Sequence, residues 1–379
     1  MRFDEVSAEH PARVPFLQIP VSQPRTFWEL DEHMTALLVP MDAGSERRLR
    51  LLLPRVSRTF ALGTKLLPVR MERPVRIGYL LCRIADTIED DLELPATRKA
   101  QLLDRFLAAF ESPDVDFPAI AAELTGLEDH RELVVAGADV FAAYRALDSA
   151  SRAILRRWVT EMVVGMRRFV LTYPDGLRLA SIEEFRTYCY YVAGTVGHLL
   201  TELWRAHSHA VTARVEARLL PDCEAFGEAL QTVNILKDIA WDAERENAIY
   251  VPADLLESRG SSQNELLAVP LRAANRAALQ PLIDLARSDL EQAVHYIETI
   301  PLHAPRVRLF CALPVLFAVA TLRELERSEA MLESGGGVKI TRSEVRSLVL
   351  AGPAAVLTNA TLRRLLARVR DREYLLTAR

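Results

Sequence analysis

From about residue 27 onward, apolar residues recur at helical spacing along almost the whole chain, and the alternation expected of a half-buried strand is nearly absent. A chain patterned this way can bury its apolar stripes only helix against helix, so an all-α fold is predicted. Leu, Ala, Arg and Glu, all good helix formers, dominate the same segments. The spacing predicts helices over 27–38, 45–68, 74–91, 96–111, 117–125, 130–146, 149–174, 181–207, 211–218, 222–246, 252–256, 263–300, 304–329, 341–350 and 355–370. Pro74 is placed in the first turn of its helix, Ser181 and Glu184 form a capping box, and Pro252 and the Gly335-Gly336-Gly337 run mark breaks. Residues 1–26, rich in proline, are expected to form an irregular arm. No Pro/Gly/Ser linker divides residues 27–379, which are expected to form one helical domain.

Composition excludes more than it assigns. With 379 residues, 50% hydrophobic and a formal net charge of −4, the chain has material for a large core and no excess of positive charge to recommend nucleic acid. Cys82, Cys189, Cys223 and Cys311 lie scattered in apolar helical contexts without metal-ligand spacing, as expected of reduced core residues in a cytoplasmic protein. The N-terminus lacks the apolar core of a signal peptide. The apolar stretch from Val345 to Leu357 is broken by Gly352 and Pro353 and falls short of the roughly 20 residues a membrane span needs. A monomer without a transmembrane segment is expected, one that meets any lipid by peripheral contact.

Two acidic clusters carry the functional signal. In Pro74–Asp91, Tyr79, Arg83, Asp86 and Asp90 follow at intervals of four, three and four and line one stripe, bounded by Ile77, Leu80, Leu81, Ile84 and Ile88. The run Asp86-Thr87-Ile88-Glu89-Asp90-Asp91 closes the helix, where the macrodipole already disfavours carboxylates by about 0.3–1 kcal/mol each. A solvated acidic helix end is the bland alternative. In the second segment Gln231, Asn234, Asp238 and Asp242 form a matching stripe, flanked by Leu230, Val233, Ile235, Leu236, Ile239 and Trp241, with Lys237 beside it. One such stripe fits a surface face. Two in one chain suggest a wet cavity with a hard cation between carboxylates, Mg²⁺ or Mn²⁺, holding a diphosphate from both sides. Between them lies Tyr188-Cys189-Tyr190-Tyr191-Val192-Ala193-Gly194-Thr195-Val196-Gly197-His198. Two helical glycines cost about 1 kcal/mol each and allow close approach, either of a neighbouring helix or of a long substrate beside a phenol. His198 reads as a packed or hydrogen-bonded histidine.

Taken in order, Ser57-Arg58-Thr59-Phe60, Tyr79-x-x-x-Arg83-x-x-Asp86-Thr87-Ile88-Glu89-Asp90-Asp91, the Tyr188–Gly197 segment and Gln231-x-x-Asn234-Ile-Leu-Lys-Asp238-x-x-x-Asp242 resemble the squalene/phytoene synthase family, over about Ser57 to Arg342. Leu309–Pro314, Ala318–Leu322 and Gly337-Val338-Lys339-Ile340 look closest to its squalene synthase branch. The resemblance implies an isoprenoid-synthase-type helical domain around a central cavity. It implies head-to-head (1′-1) coupling of two farnesyl diphosphates through presqualene diphosphate, then reduction by NADPH to squalene. Carried over residue by residue, it implies Mg²⁺ on Asp86, Glu89 and Asp90 and on Asp238 and Asp242 with Asn234. It places Ser57, Arg58, Arg83 and Lys237 on phosphate, Phe60, Gln231 and Lys339 among the substrate contacts, Tyr188 near the carbocation with Tyr79 close by, and Phe310 on the tunnel wall.

Three positions depart from the family pattern. Asn247-Ala248 stands where Gly-Arg is usual, with Arg245 one turn earlier as a substitute; Lys237 stands where arginine is common; Thr341 stands where the squalene branch tends to a basic residue. These touch diphosphate or NADPH contacts, so a non-reducing coupling enzyme stays open beside a squalene synthase. So do a prenyltransferase acting on another, for example aromatic, acceptor and a non-catalytic prenyl-diphosphate-binding protein. Chain length of the prenyl donor is not legible.

Overall fold

The structure, a computed structural model, describes residues 43–372. The predicted arm over 1–26 and the helix over 27–38 lie outside the described residues. Seventeen α-helices and no extended strand are found among those described; one isolated bridge joins Arg178 to Ile249. The helices are α1 (Ala43–Val56), α2 (Arg58–Thr64), α3 (Val69–Glu89), α4 (Ala96–Ala108), α5 (Phe117–Glu123), α6 (Glu128–Val135), α7 (Gly137–Arg145), α8 (Ser149–Thr172) and α9 (Ile182–Cys189). After a π-helical turn over Tyr190–Gly194 come α10 (Thr195–His207), α11 (Ala213–Arg245), α12 (Ala253–Glu257), α13 (Arg272–Ala278), α14 (Gln280–Thr299), α15 (Pro305–Arg327), α16 (Arg342–Ala355) and α17 (Asn359–Asp371).

Local chemistry accounts for where seven of them begin. Ser57, Asp116, Asp148, Ser181, Thr212, Thr341 and Thr358 each accept a hydrogen bond from the third amide of the helix they open, satisfying a donor that the helix cannot. Ser57 thereby splits the single helix predicted over 45–68. Its backbone is extended, and its side chain starts α2 afresh. The Ser181 cap forms as expected, but Glu184 reaches one residue further back than a capping box requires, taking the Ala180 amide at 2.7 Å and the Tyr173 hydroxyl at 2.6 Å.

Proline misled the placement of several breaks. Pro74 lies inside α3, which begins at Val69; Pro221 lies inside α11, which joins the two helices predicted over 211–218 and 222–246; Pro353 lies inside α16. Each removes one backbone hydrogen bond, a loss offset by packing along the remaining turns. The opposite error falls at 263–300, where 3₁₀ turns and a break at Leu279 precede Pro281, and at 130–146, which breaks at Ala136.

α8 packs on α3, α4 and α10, while α11 packs on α10, α14 and α15, so α3, α8, α10, α11 and α15 surround the interior. α15 is long and apolar enough by composition to cross a membrane, a property missed by the search for spans in the sequence. Its most apolar window is 72% buried within the fold, which fits a core helix. Two glycines set the spacing of the central pair. A Cβ on Gly197 of α10 would stand 1.9 Å from the Cys223 carbonyl oxygen of α11, and one on Gly227 of α11 would stand 2.2 Å from that of Ala193. Backbone therefore meets backbone here, which gives Gly197, of the two motif glycines, the close-packing role. All four cysteines are free and buried, as expected.

Candidate active site

Two separate cavities meet the acidic helices. The first, about 360 Å³, is walled by Val75, Met162, Val192, Val196, Leu199, Leu200, Phe226 and Leu230 among others, with Gly197 and Gly227 on its lining. Of the two motif glycines, Gly197 is the one that lines this cavity. Phe60, Tyr79 and Phe310 line this cavity too. Tyr79 stacks on Phe60 at 4.1 Å, Phe60 meets Phe310 edge-on at 5.9 Å, and Trp204 meets Phe310 edge-on at 5.5 Å. Polar groups in the lining include Ser57, Asp86, Gln231 and Asn234. Burial raises the Tyr79 phenol above its ordinary range, and the Ser57 side chain partly offsets that rise.

The second cavity, about 450 Å³, is polar and lined by Glu89, Asp90, Lys99, Tyr173, Asp175, Tyr188, Glu244, Arg245, Glu246, Asn247 and Tyr250 among others. On α3, Asp86 therefore reaches the oily cavity, and Glu89 and Asp90, one turn on, reach the polar one. α11 repeats the order: Leu230, Gln231 and Asn234 line the oily cavity, Glu244 and Arg245 the polar one, and Asp238 and Asp242 fall between.

The carboxylates crowd one another. Burial pushes Asp86 up to about 6 despite the opposing Arg83 charge. Burial, then Glu246, Asp238 and, across from the other helix, Asp90 push Asp242 up to about 8. Burial raises both Glu89 and Asp90; Asp90 and Asp86 raise Glu89 further, and Asp86 and Glu246 raise Asp90 further. The two clusters thus face a common charge field, as the stripes imply. Three cations temper it. Arg83 Nη1 lies 3.5 Å from Asp86, and its buried Nε has no hydrogen-bond partner among the described residues. Lys99 Nζ donates to the Glu89 carbonyl at 2.7 Å. Lys237 is bonded to the Asp238 carboxylate rather than reaching freely into the cavity.

Among the described residues no three His, Cys, Asp or Glu side chains close into a metal cage of their own. An all-oxygen donor set split between two helices still fits Mg²⁺, which is commonly held by one or two carboxylates together with substrate phosphate and water. Asp91 stands apart from its neighbours. Its Oδ1 accepts from the Glu93 and Leu94 amides at 3.1 Å each, and its Oδ2 accepts from the Thr125 amide and hydroxyl at 2.5 and 3.1 Å. It ties down the loop after α3.

Several expected neighbours are not brought together. Tyr188 does not join Tyr79 in the oily cavity. It lines the polar one, with Tyr250 at 5.2 Å between rings and 3.5 Å between hydroxyls, and Phe169 edge-on at 5.2 Å. Burial first, then Glu89, holds the Tyr188 phenol far above its usual range, so it keeps its proton at neutral pH and is no base in this state. Arg58 and Lys339 are exposed and line neither cavity. The Gly337–Ile340 segment does approach the site, through a 3.1 Å hydrogen bond from the Val338 amide to the Lys237 carbonyl. Arg245 lies over the Trp241 ring at 5.0 Å. The guanidinium that meets Asn247 belongs to Arg178, which donates to its carbonyl and side-chain oxygens at 2.7 Å each. Thr341 serves as the cap of α16. Sequence reasoning missed Tyr250, Lys99, Trp204 and Glu246. Only Glu246 left a plain signal, since it continues the Asn234–Asp238–Asp242 stripe by another four residues.

A helical shell that encloses an apolar, aromatic cavity and sets carboxylates from two helices beside it defines the class: an isoprenoid-synthase-type fold. Residues 53–344 match the family model "Squalene/phytoene synthase", and the chain belongs to that family. The squalene synthase of Schizosaccharomyces pombe is 29% identical over 316 residues, covering 80% of this chain and 64% of that protein. The one of Ganoderma lucidum is 27% identical over 341 residues, covering 86% and 70%. The chain thus spans about two thirds of the length of these curated relatives. A liganded structure of TcSQS superposes with a TM-score of 0.74 at 25% identity, covering 87% of this chain and 98% of that one.

Proposed function

We propose that this protein is a prenyltransferase that condenses two farnesyl diphosphates head to head (1′-1) through presqualene diphosphate, and that NADPH then reduces this intermediate to squalene. The observation that carries the proposal is the oily cavity lined by Tyr79, Phe60 and Phe310 and reached by Asp86, Gln231 and Asn234. A prenyl tail fits the apolar part, and its diphosphate falls among the carboxylates. Relatives named squalene synthases support squalene as the product.

Asp86, Glu89 and Asp90 on one side and Asp238 and Asp242 on the other would hold Mg²⁺, with Mn²⁺ as an alternative. Bound there, the metal would neutralise negative charge on the diphosphate. The chain's own groups do the rest. Arg83, with an unpaired buried Nε, and Lys237, on release from Asp238, supply further positive charge to phosphate oxygens. Apolar walls exclude water from an allylic cation, and the Tyr79, Phe60 and Phe310 faces stabilise it. Tyr188, protonated beside Glu89 and Asp90, offers a hydrogen bond at the polar end.

The polar cavity gives NADPH phosphates no cationic cradle. Its lining carries Glu89, Asp90, Asp175, Glu244 and Glu246 against Lys99 and Arg245. No reductive step is therefore routed through it, and this acidity favours a second reading in which coupling stops before reduction. Incubation with farnesyl diphosphate and Mg²⁺, with and without NADPH, tests both. Squalene formed only with NADPH supports the first reading, and a C30 product indifferent to NADPH supports the second. Binding without turnover, or turnover only with an added aromatic acceptor, refutes both. Asp86→Asn and Asp238→Asn are expected to stop diphosphate release while leaving the circular dichroism unchanged.

A further inference from the structure

A third cavity, about 270 Å³, shares no lining residue with the other two. It is lined by Arg70, Arg205, His207 and His209, with Thr212 and Ala213 at the start of α11, and by no carboxylate. Among the described residues Arg70 and His209, both exposed, make no hydrogen bond or ion pair. Arg205 forms an ion pair with Glu216 at 3.7 Å and keeps the rest of its guanidinium on the cavity lining. The His207 ring is fixed by the Ser151 hydroxyl at 2.7 Å and has the Asp148 carboxylate 3.8 Å away, so it serves as a polar wall rather than a free charge. With the Arg70 guanidinium unpaired and no carboxylate in the lining, this concave site favours an anion with several oxygens.

What adjoins the cavity narrows the choice of anion. Val69, next to Arg70, is 84% exposed at the start of α3. Leu62, one short turn earlier in the chain, is 39% exposed and also lines the oily cavity, so the wall of that cavity reaches the surface there. Lys65, between them, is exposed. From Ser57 to Met71 the chain carries Arg58, Lys65 and Arg70 and no acidic residue. Glu72, which follows, is already engaged by Arg76 at 2.8 Å and Arg50 at 3.3 Å. A free phosphate has no use for a protruding valine. Cations beside exposed apolar side chains match the boundary of an anionic bilayer, where headgroup phosphate and acyl chain lie a few ångströms apart.

We propose that the edge formed by residues 62–70 and 205–213 docks on an anionic lipid surface. A lipid phosphate occupies the Arg70–Arg205–His209 cavity, and Val69 enters the acyl boundary. Docking there turns the Leu62 side of the oily cavity toward the bilayer, giving a hydrocarbon product a route out that avoids water. Only this exit role rests on the proposed reaction; the docking itself stands apart from it.

Co-sedimentation of the full chain with phosphatidylcholine vesicles, with and without phosphatidylglycerol, tests the docking in the absence of substrate. Binding is expected only with phosphatidylglycerol and is expected to weaken as salt is raised. Arg70→Glu is expected to weaken it about tenfold or more, and Val69→Asp to weaken it as well. Both variants should keep the wild-type melting temperature and the wild-type rate on detergent-dispersed farnesyl diphosphate. Inorganic phosphate competing the protein off vesicles supports the cavity as the headgroup site. Three results overturn the proposal: no binding to phosphatidylglycerol vesicles, binding that neither variant changes, or protection by inorganic phosphate against unfolding without any vesicle binding. Loss of turnover in the wild type with vesicle binding intact refutes the reaction and leaves the docking in place.

Discussion

The carboxylate pile-up between the two helices should be measurable as instability in the metal-free protein, and Asp242→Asn isolates it. Asp242 is buried, and its carboxyl is raised from 3.8 to about 8. A carboxyl whose folded value exceeds its unfolded one binds its proton more tightly when folded. Its contribution is therefore most favourable below the unfolded value and is lost as pH rises from about 4 to about 8. At about 1.4 kcal/mol per unit, the full loss has a ceiling of about 6 kcal/mol. Asp238, Asp90 and Glu246 share that repulsion, and a carboxamide buried without its full set of partners costs about 1–3 kcal/mol in return. The net expectation is a gain of about 2 kcal/mol for the variant at pH 8.5, or a melting temperature higher by about 3–5 °C in a chain this long. At pH 4.5 most of the wild-type penalty has gone, and the variant should be equal or less stable. Circular dichroism melts in EDTA from pH 4.5 to 8.5 read this change of sign directly. Adding Mg²⁺ with pyrophosphate at pH 8.5 should erase the variant's advantage, because cations then offset the charge in the wild type. A difference in melting temperature that stays constant across the pH range would refute the assignment of strain to this carboxylate.

Further predictions follow from single contacts. Gly197→Ala places a methyl group against the Cys223 carbonyl and should lose about 2–3 kcal/mol in denaturant melts. Gly260→Ala meets nothing within 4 Å but must hold φ at 72°, and should lose about 1 kcal/mol. Asp91→Ala strands the Glu93, Leu94 and Thr125 amides and should lose about 3 kcal/mol, while the Mg²⁺ concentration giving half-maximal activity stays at the wild-type value. Tyr250→Phe removes the hydroxyl facing Tyr188 and should lower kcat with little change in KM or melting temperature; an unchanged kcat would take Tyr250 out of the reaction.

The helical class was legible because buried stripes at 3.6-residue spacing survive any detail of packing. Breaks were less so. Pro221 and Pro353 read as stops, yet each removes one hydrogen bond from a helix held by many side-chain contacts, and tertiary packing prevails. Ser57 reads as one polar residue in an apolar run, and only its extended backbone shows it to be a cap. In the site, the intervals that set Asp86 with Asp90 and Asp238 with Asp242 on one face were legible, since a helix alone decides them. The pairing of Tyr188 with Tyr250, the approach of Lys99 to Glu89 and the contact of Arg178 with Asn247 join residues on different elements and had no periodic trace.

The order of residues along α3 and α11 explains why charged groups were retained on helices so otherwise apolar. Each helix passes from the oily cavity to the polar one within a few turns, so its carboxylates fall at the boundary between them. A diphosphate must sit at such a boundary if its tail is to lie in oil and its leaving group is to meet water and cations. The backbone contacts of Gly197 and Gly227 allow α11 little freedom to move away from its neighbour. The repulsion among Asp90, Asp238, Asp242 and Glu246 is therefore held in the fold rather than relaxed by helix displacement. On the proposed function, stability given up in the empty protein is recovered when positive charge arrives, and diphosphate–metal binding would be coupled to the same residues that make the unliganded fold pH-sensitive.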